Sequence, residues 1–209
     1  ARTFGAGVGG RKMVRRGGRA ASLDDPIDRG GARGFAGDRA GRREHEPAAT
    51  ALSRALAYAP TDVETLRELA RLQWRAPSKA LVVTLVTLAQ ELPGDLDALH
   101  DAARIAKENV GDPVLVRELL AKLFRAAERL WQRGEAAKGE RPADRTALEA
   151  HAELVRLEVE GGRNKNAVDW LVEGARLPVS PADRRTLLRR AGDLAREKLG
   201  DDARAMQLY

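Results

Sequence analysis

One pattern of punctuation recurs along this chain and limits what it can fold into. Pro60-Thr61-Asp62 is followed by Leu66, Ala70 and Trp74, and Pro93-Gly94-Asp95, 33 residues on, by Leu99 and Ala103. Pro142-Ala143-Asp144 leads to Leu148 and Ala152, and Pro181-Ala182-Asp183, 39 residues on, to Leu187 and Ala191. A turn signal followed by apolar residues at helical spacing, returning at this interval, is the mark of stacked helix pairs. Each pair has an apolar face that it cannot bury alone, so neighbours must cover it.

The punctuation between these points predicts the remaining helices. A helix over 47–58 ends at Pro60, and Thr61 with Glu64 forms a capping-box pattern for one over 62–76. Residues 78–92 are apolar on nearly all sides, and the β-branched Val82, Val83 and Val86 keep a strand as the alternative to the helix we read there. A helix over 95–109 stops at Gly111. Asp112-Pro113 then supplies an N-cap and a first-turn proline for a long helix to about 132. A polar connector over 133–141 precedes helices at 142–160, 164–176 and 181–199, and a last one opens after Gly200.

Residues 1–46 differ in kind. They hold 11 Gly, with 11 Arg/Lys against 6 Asp/Glu, whereas 47–209 hold 26 against 25. The basic balance therefore belongs to a tail that lacks the apolar pattern needed to offset chain entropy, and we read 1–46 as disordered. The 30 Arg against 7 Lys read as the coding bias of a GC-rich, bacterial genome. There is no Cys, which excludes disulfides, thiol catalysis and thiolate metal sites. No apolar run is long enough to span a bilayer, and the expected location is the cytoplasm. The chain starts at Ala1 rather than Met and stops at Tyr209 inside a helical pattern, so we read it as part of a longer protein with a truncated C-terminal repeat.

The stretch Leu52, Ala55, Leu56, Pro60, Asp62, Leu66, Leu69, Ala70 and Trp74 resembles the tetratricopeptide-repeat (TPR) family, and Gly200 to Tyr209 resembles a further repeat turn. The resemblance covers about 47–209. It departs from the family pattern at Pro77 and at the 133–141 connector. It implies an all-α, right-handed α-solenoid of about four antiparallel helix hairpins behind the tail. It also implies a non-enzymatic scaffold that binds a peptide or protein segment in the groove lined by the first helix of each pair.

Motifs with chemical meaning are few. Gly5-x-Gly7-x-x-Gly10 matches the dinucleotide-binding string, but it has no strand before it and no apolar helix after it, so it reads as chance in Gly-rich sequence. Arg16-Gly17-Gly18 and Arg29-Gly30-Gly31 resemble nucleic-acid-binding elements, though only Phe4 and Phe35 supply aromatics. His45, His100 and His151 show no metal-ligand spacing. Glu149, His151 and Glu153 read as a solvated helix surface. Trp74, Trp131 and Trp170 read as fillers between repeats. No catalytic, cofactor or metal residues are assigned.

One feature stands out from this background. Arg67, Arg71 and Arg75 follow one another at one-turn intervals, and the 33-residue alignment sets Arg67 and Arg71 against His100 and Arg104. Two neighbouring first helices would then share a basic strip able to hold carboxylates. The expected function is protein–protein interaction, with Arg67, Arg71, His100 and Arg104 binding an acidic peptide or protein segment. The alternatives are a nucleic-acid-associated protein acting through the Arg/Gly tail, and the regulatory repeat region of a larger enzyme.

Overall fold

The structure is a computed structural model that describes the backbone from Gly34 and side chains from Glu46 to Tyr209. Among the described residues every element is a helix: α1 Gly34–Tyr58, α2 Val63–Gln73, α3 Lys79–Glu91, α4 Leu96–Ile105, α5 Pro113–Arg133, α6 Ala143–Glu160, α7 Asn164–Gly174, α8 Pro181–Leu199 and α9 Asp202–Leu208. A turn of π-helix, Ala106–Val110, continues α4. The chain divides into two units after residue 40, and the second, Gly41–Tyr209, is compact and holds all helices from α2 onward.

The caps explain most of these limits. Asp95 accepts hydrogen bonds from the Asp97 and Ala98 N–H groups, and Asp112 from those of Val114 and Leu115. Ser180 Oγ accepts from the Asp183 N–H at 3.1 Å and donates to the Asp183 carboxylate at 2.7 Å, closing a reciprocal cap. α5 and α8 each carry proline in the first turn, where its missing N–H costs nothing, and each ends on a glycine in the left-handed region, Gly134 at φ 65° and Gly200 at φ 65°.

In the second unit each helix from α2 to α9 packs on the next, giving the antiparallel pairs α2/α3, α4/α5, α6/α7 and α8/α9. One core gathers Leu66, Leu81, Leu96, Ile105, Phe124 and Leu154, and a second gathers Val168, Leu171, Ala191 and Ala205. Fully burying a Leu or Phe is worth roughly 1.5–3 kcal/mol, so side chains of this kind supply most of what holds the pairs together. The connector after α5 is tied across the α3–α4 turn. Lys138 N–H donates to the Gly94 carbonyl at 2.9 Å, Glu140 N–H to Asp97 Oδ2 at 2.9 Å, and the Arg141 guanidinium lies 3.4 Å from Asp97.

Residues 78–92 form the helix read there rather than the strand kept as its alternative, with α3 running Lys79–Glu91. Other sequence expectations need correction. The N-cap of α2 is Asp62 rather than Thr61: its carboxylate accepts from the Thr65 N–H at 3.2 Å and from the Thr65 hydroxyl. α1 begins at Gly34, inside the segment set apart as tail, and carries Pro47 in its interior. Residues 1–33, with the Gly-rich string and both Arg-Gly-Gly elements, lie outside the described residues. In the third pair Leu148 and Ala152 face solvent, and Ala147, Ala150, His151 and Leu154 face the core instead. α6 starts directly after Pro142 and includes Asp144, whereas α2 and α4 start after a capping Asp, so its inward face is set differently.

Candidate functional site

The first helices α4 and α6 leave a groove between them of about 240 Å³. Its floor is apolar, made by Val116, Leu120 and Leu123 of α5. His100, Arg104 and Lys107 stand on the α4 rim, and Glu149 and Glu153 on the α6 rim. Lys107 Nζ and Glu153 Oε1 meet at 2.9 Å across it. Glu153 also accepts two hydrogen bonds from Arg156, at 2.7 and 2.8 Å; these, with Lys107, hold its pKa down at about 2. It remains a carboxylate throughout the neutral range.

The four residues of the expected basic strip occupy α2 and α4, but their charge is largely balanced on their own helices. Arg67 pairs with Glu64 at 2.9 Å, Arg71 with Glu68 at 2.8 Å, and Arg104 with Asp101 and Glu108, both at 3.3 Å. Arg104 also lies over Trp74, with its guanidinium carbon 5.4 Å from the ring centroid, which ties α4 to the end of α2. His100 lies half-buried at the groove, and its Nδ1 has no hydrogen-bond partner, the nearest Asp101 carboxylate oxygen being 3.8 Å away. Burial, with the charge of Arg141, lowers its pKa and keeps the ring neutral. Arg75 falls beyond the end of α2, which closes at Gln73.

Two residues with unusual surroundings were missed or misplaced by sequence reasoning. His151 is no surface group: it is buried, donates through its Nε2–H to the Trp170 carbonyl at 2.8 Å, and faces the Phe124 ring at 5.9 Å. Burial lowers its pKa. Glu158 is buried where α5, α6 and the α6–α7 turn meet, with the Arg163 guanidinium at 2.5 Å and that of Arg117 at 3.5 Å. The signal for both was there: positions 147, 150, 151, 154 and 158 follow helical spacing, but two polar residues interrupt the apolar run. Trp170 does fill a gap between helices, edge-on to Phe124 at 5.5 Å, with Arg125 over its ring at 5.4 Å.

Among the described residues no group of three or more His, Cys, Asp or Glu could hold a metal ion, and no helix is long and apolar enough to cross a membrane. No family model matches the chain, and none of the curated proteins matches it in sequence. Among solved structures, the "Crystal structure of MamA protein" is similar at 12% identity and a TM-score of 0.36, with 81% of each chain covered.

Proposed function

We propose that the chain is a TPR-like, right-handed solenoid that holds a segment of another protein against its first helices, in the cytoplasm and without catalysis. The observation that supports this reading is the α4/α6 groove, in which an apolar floor lies beneath charged rims. A partner segment would set apolar side chains on Leu120 and Leu123 and bring carboxylates to Arg67, Arg71, His100 and Arg104. The Arg side chains are already paired, but exposed ion pairs of this kind are worth only about 0–1 kcal/mol, so a partner carboxylate can share or displace the resident one at little cost. Guanidinium groups are suited to that exchange because they donate to two oxygens at once.

Affinity capture from the native proteome tests the reading, using the full chain and the Arg71→Glu/Arg104→Glu variant. The expected result is that partners held by the wild type at moderate salt are lost from the variant while its helical content and melt are kept. Capture of the same partners at the same salt by both proteins would dispose of the basic strip as a binding element.

A further inference from the structure

A larger groove, about 590 Å³, opens on the other layer, between the second helices α3 and α5. Small side chains create it: Ala89 on α3 faces Ala121 and Ala126 on α5, with Val86, Leu99 and Leu130 completing an apolar lining. Val83, one turn before Val86 on α3, is 59% exposed, so the apolar surface of α3 extends further along its axis.

The charge around this groove is one-sided. Lys122, Arg125, Arg129 and Arg133 follow one another along α5 at three- and four-residue steps and so share a helix face. α3 offers no carboxylate against them, since its sequence has no acidic residue before Glu91. The two carboxylates of the lining stand elsewhere and are occupied: Asp95 caps α4, and Glu135 lies 3.8 Å from Arg133. Arg125 is held by Glu128 at 3.2 Å and Glu173 at 2.6 Å. Arg129 makes only a bond to the Arg125 carbonyl, and Lys122 has no carboxylate within ion-pair distance among the described residues.

We propose that the α3/α5 groove docks an acidic amphipathic helix of another protein. Its apolar stripe would lie on Ala89, Ala121, Ala126 and Leu130, and its Asp or Glu residues would meet Lys122, Arg129 and Arg133. The stripe from Lys122 to Arg133 covers about three helical turns, roughly 16 Å, which is the length of a short recognition helix. Charge complementarity selects an acidic partner over a basic one. A single-stranded nucleic acid is the poorer occupant, because none of the lining residues is aromatic and bases would find no ring to stack on.

The test is fluorescence anisotropy of the full chain against labelled synthetic probes. The first probe is a helical peptide of about 16 residues with Leu at i, i+3, i+4 and i+7 spacing and Glu elsewhere. The second is a scrambled peptide of the same composition, and the third is an oligouridylate. The ordered peptide is expected to bind, the scrambled one at least about tenfold more weakly, and Lys122→Glu/Arg129→Glu to reduce binding by a similar factor. Arg71→Glu/Arg104→Glu should leave this binding unchanged, which separates the groove from the first-helix site. If circular dichroism shows that the double reversal unfolds the chain, Lys122→Ala/Arg129→Ala replaces it, with a smaller loss expected. Absence of binding by the ordered peptide, equal binding of the scrambled one, tighter binding of the oligouridylate, or indifference to a folded Lys122/Arg129 variant would each overturn the proposal.

Discussion

Replacing Gly174 by alanine should destabilise this protein, although helix propensity predicts the opposite sign. Gly174 is the last residue of α7, and Gly→Ala inside a helix normally gains up to about 1 kcal/mol. Here an added Cβ would run into the His151 imidazole, whose Cε1 and Cδ2 would lie at 2.5 and 2.8 Å with Nε2 closer still. The ring cannot easily yield. It is 4% exposed, bonded to the Trp170 carbonyl at 2.8 Å and packed against Phe124. Overpacking of this kind costs typically about 1–3 kcal/mol, and driving the ring off the carbonyl would leave a buried polar group unmet at about 1–3 kcal/mol. Either route outweighs the propensity gain, so a net loss of about 2 kcal/mol is expected, or roughly 4–8 °C in Tm for a chain of this size.

Gly192→Ala is the internal control. An added Cβ there meets Tyr209 Cε1 at 2.9 Å and Cζ at 3.1 Å, but Tyr209 ends the chain, is 60% exposed and can swing away. With the ring displaced, only the helix-propensity gain remains, so its substitution should leave stability unchanged or raise it by up to about 1 kcal/mol. Thermal and urea melts followed by circular dichroism measure both. Combining Gly174→Ala with His151→Ala should cost less than the sum of the two single changes, since the second removes the ring that the first collides with. A Gly174→Ala protein that melts at or above the wild type would refute the packing assigned to His151.

Acidification gives an independent reading of the same ring. Burial lowers the folded pKa of His151, so as pH falls below the ordinary histidine value of about 6.5 the unfolded chain takes up the proton first, and stability falls with a slope of at most about 1.4 kcal/mol per pH unit. Urea midpoints between neutral and mildly acid pH should drop for the wild type and flatten in His151→Gln, with His100 contributing in the same direction; an identical slope in both proteins would contradict the assignment. Glu158→Ala should cost about 3 kcal/mol, the low side for a broken buried ion pair, because Arg163 and Arg117 keep some contact with water; a melt within experimental error of wild type would show that the cluster is idle. Ala70→Arg and Ala103→Arg should each lose several kcal/mol or fail to fold, since both positions are almost sealed from water, and circular dichroism reads the outcome directly.

What could be read from the sequence was what local chemistry decides. Asp95, Asp112 with Pro113, and Ser180 with Pro181 announce helix starts because a cap needs only its own next three residues. The limits of α5 and α8 followed from such signals to within one or two residues, and those of α3 and α7 from the prolines and glycines that flank them. The inward face of α6 did not, because Leu148 is a stronger apolar signal than His151 or Glu158, and only packing against Phe124, Trp170, Arg117 and Arg163 makes those polar side chains interior. The tether from Asp97 to the connector escaped for the same reason: it joins residues far apart along the chain.

The same distinction governs where binding charge resides. On the first helices, Glu64, Glu68, Asp101 and Glu108 sit three or four residues from the Arg they neutralise, a pairing the sequence spells out and an isolated helix would also make. On α5 the spacing alone looks similar, with Glu118 one turn before Lys122 and Glu128 beside Arg129. The fold nevertheless directs Glu128 to Arg125 and leaves α3, without an acid before Glu91, as the facing rim. Attraction of a partner depends on uncompensated field rather than on the number of cations. By that criterion the strip conspicuous in sequence, at Arg67, Arg71 and Arg104, must exchange existing partners to bind, whereas Lys122 and Arg129 have no carboxylate among the described residues to give up. The two grooves therefore predict different salt responses. Added salt screens both the incoming carboxylate and the resident pairs at the first-helix site, so the two effects partly cancel there. At the α3/α5 groove only the attraction is screened, and affinity for the acidic peptide should fall more steeply with salt in the wild type than in Lys122→Ala/Arg129→Ala. Parallel salt curves for the two proteins would show that these cations contribute no net field.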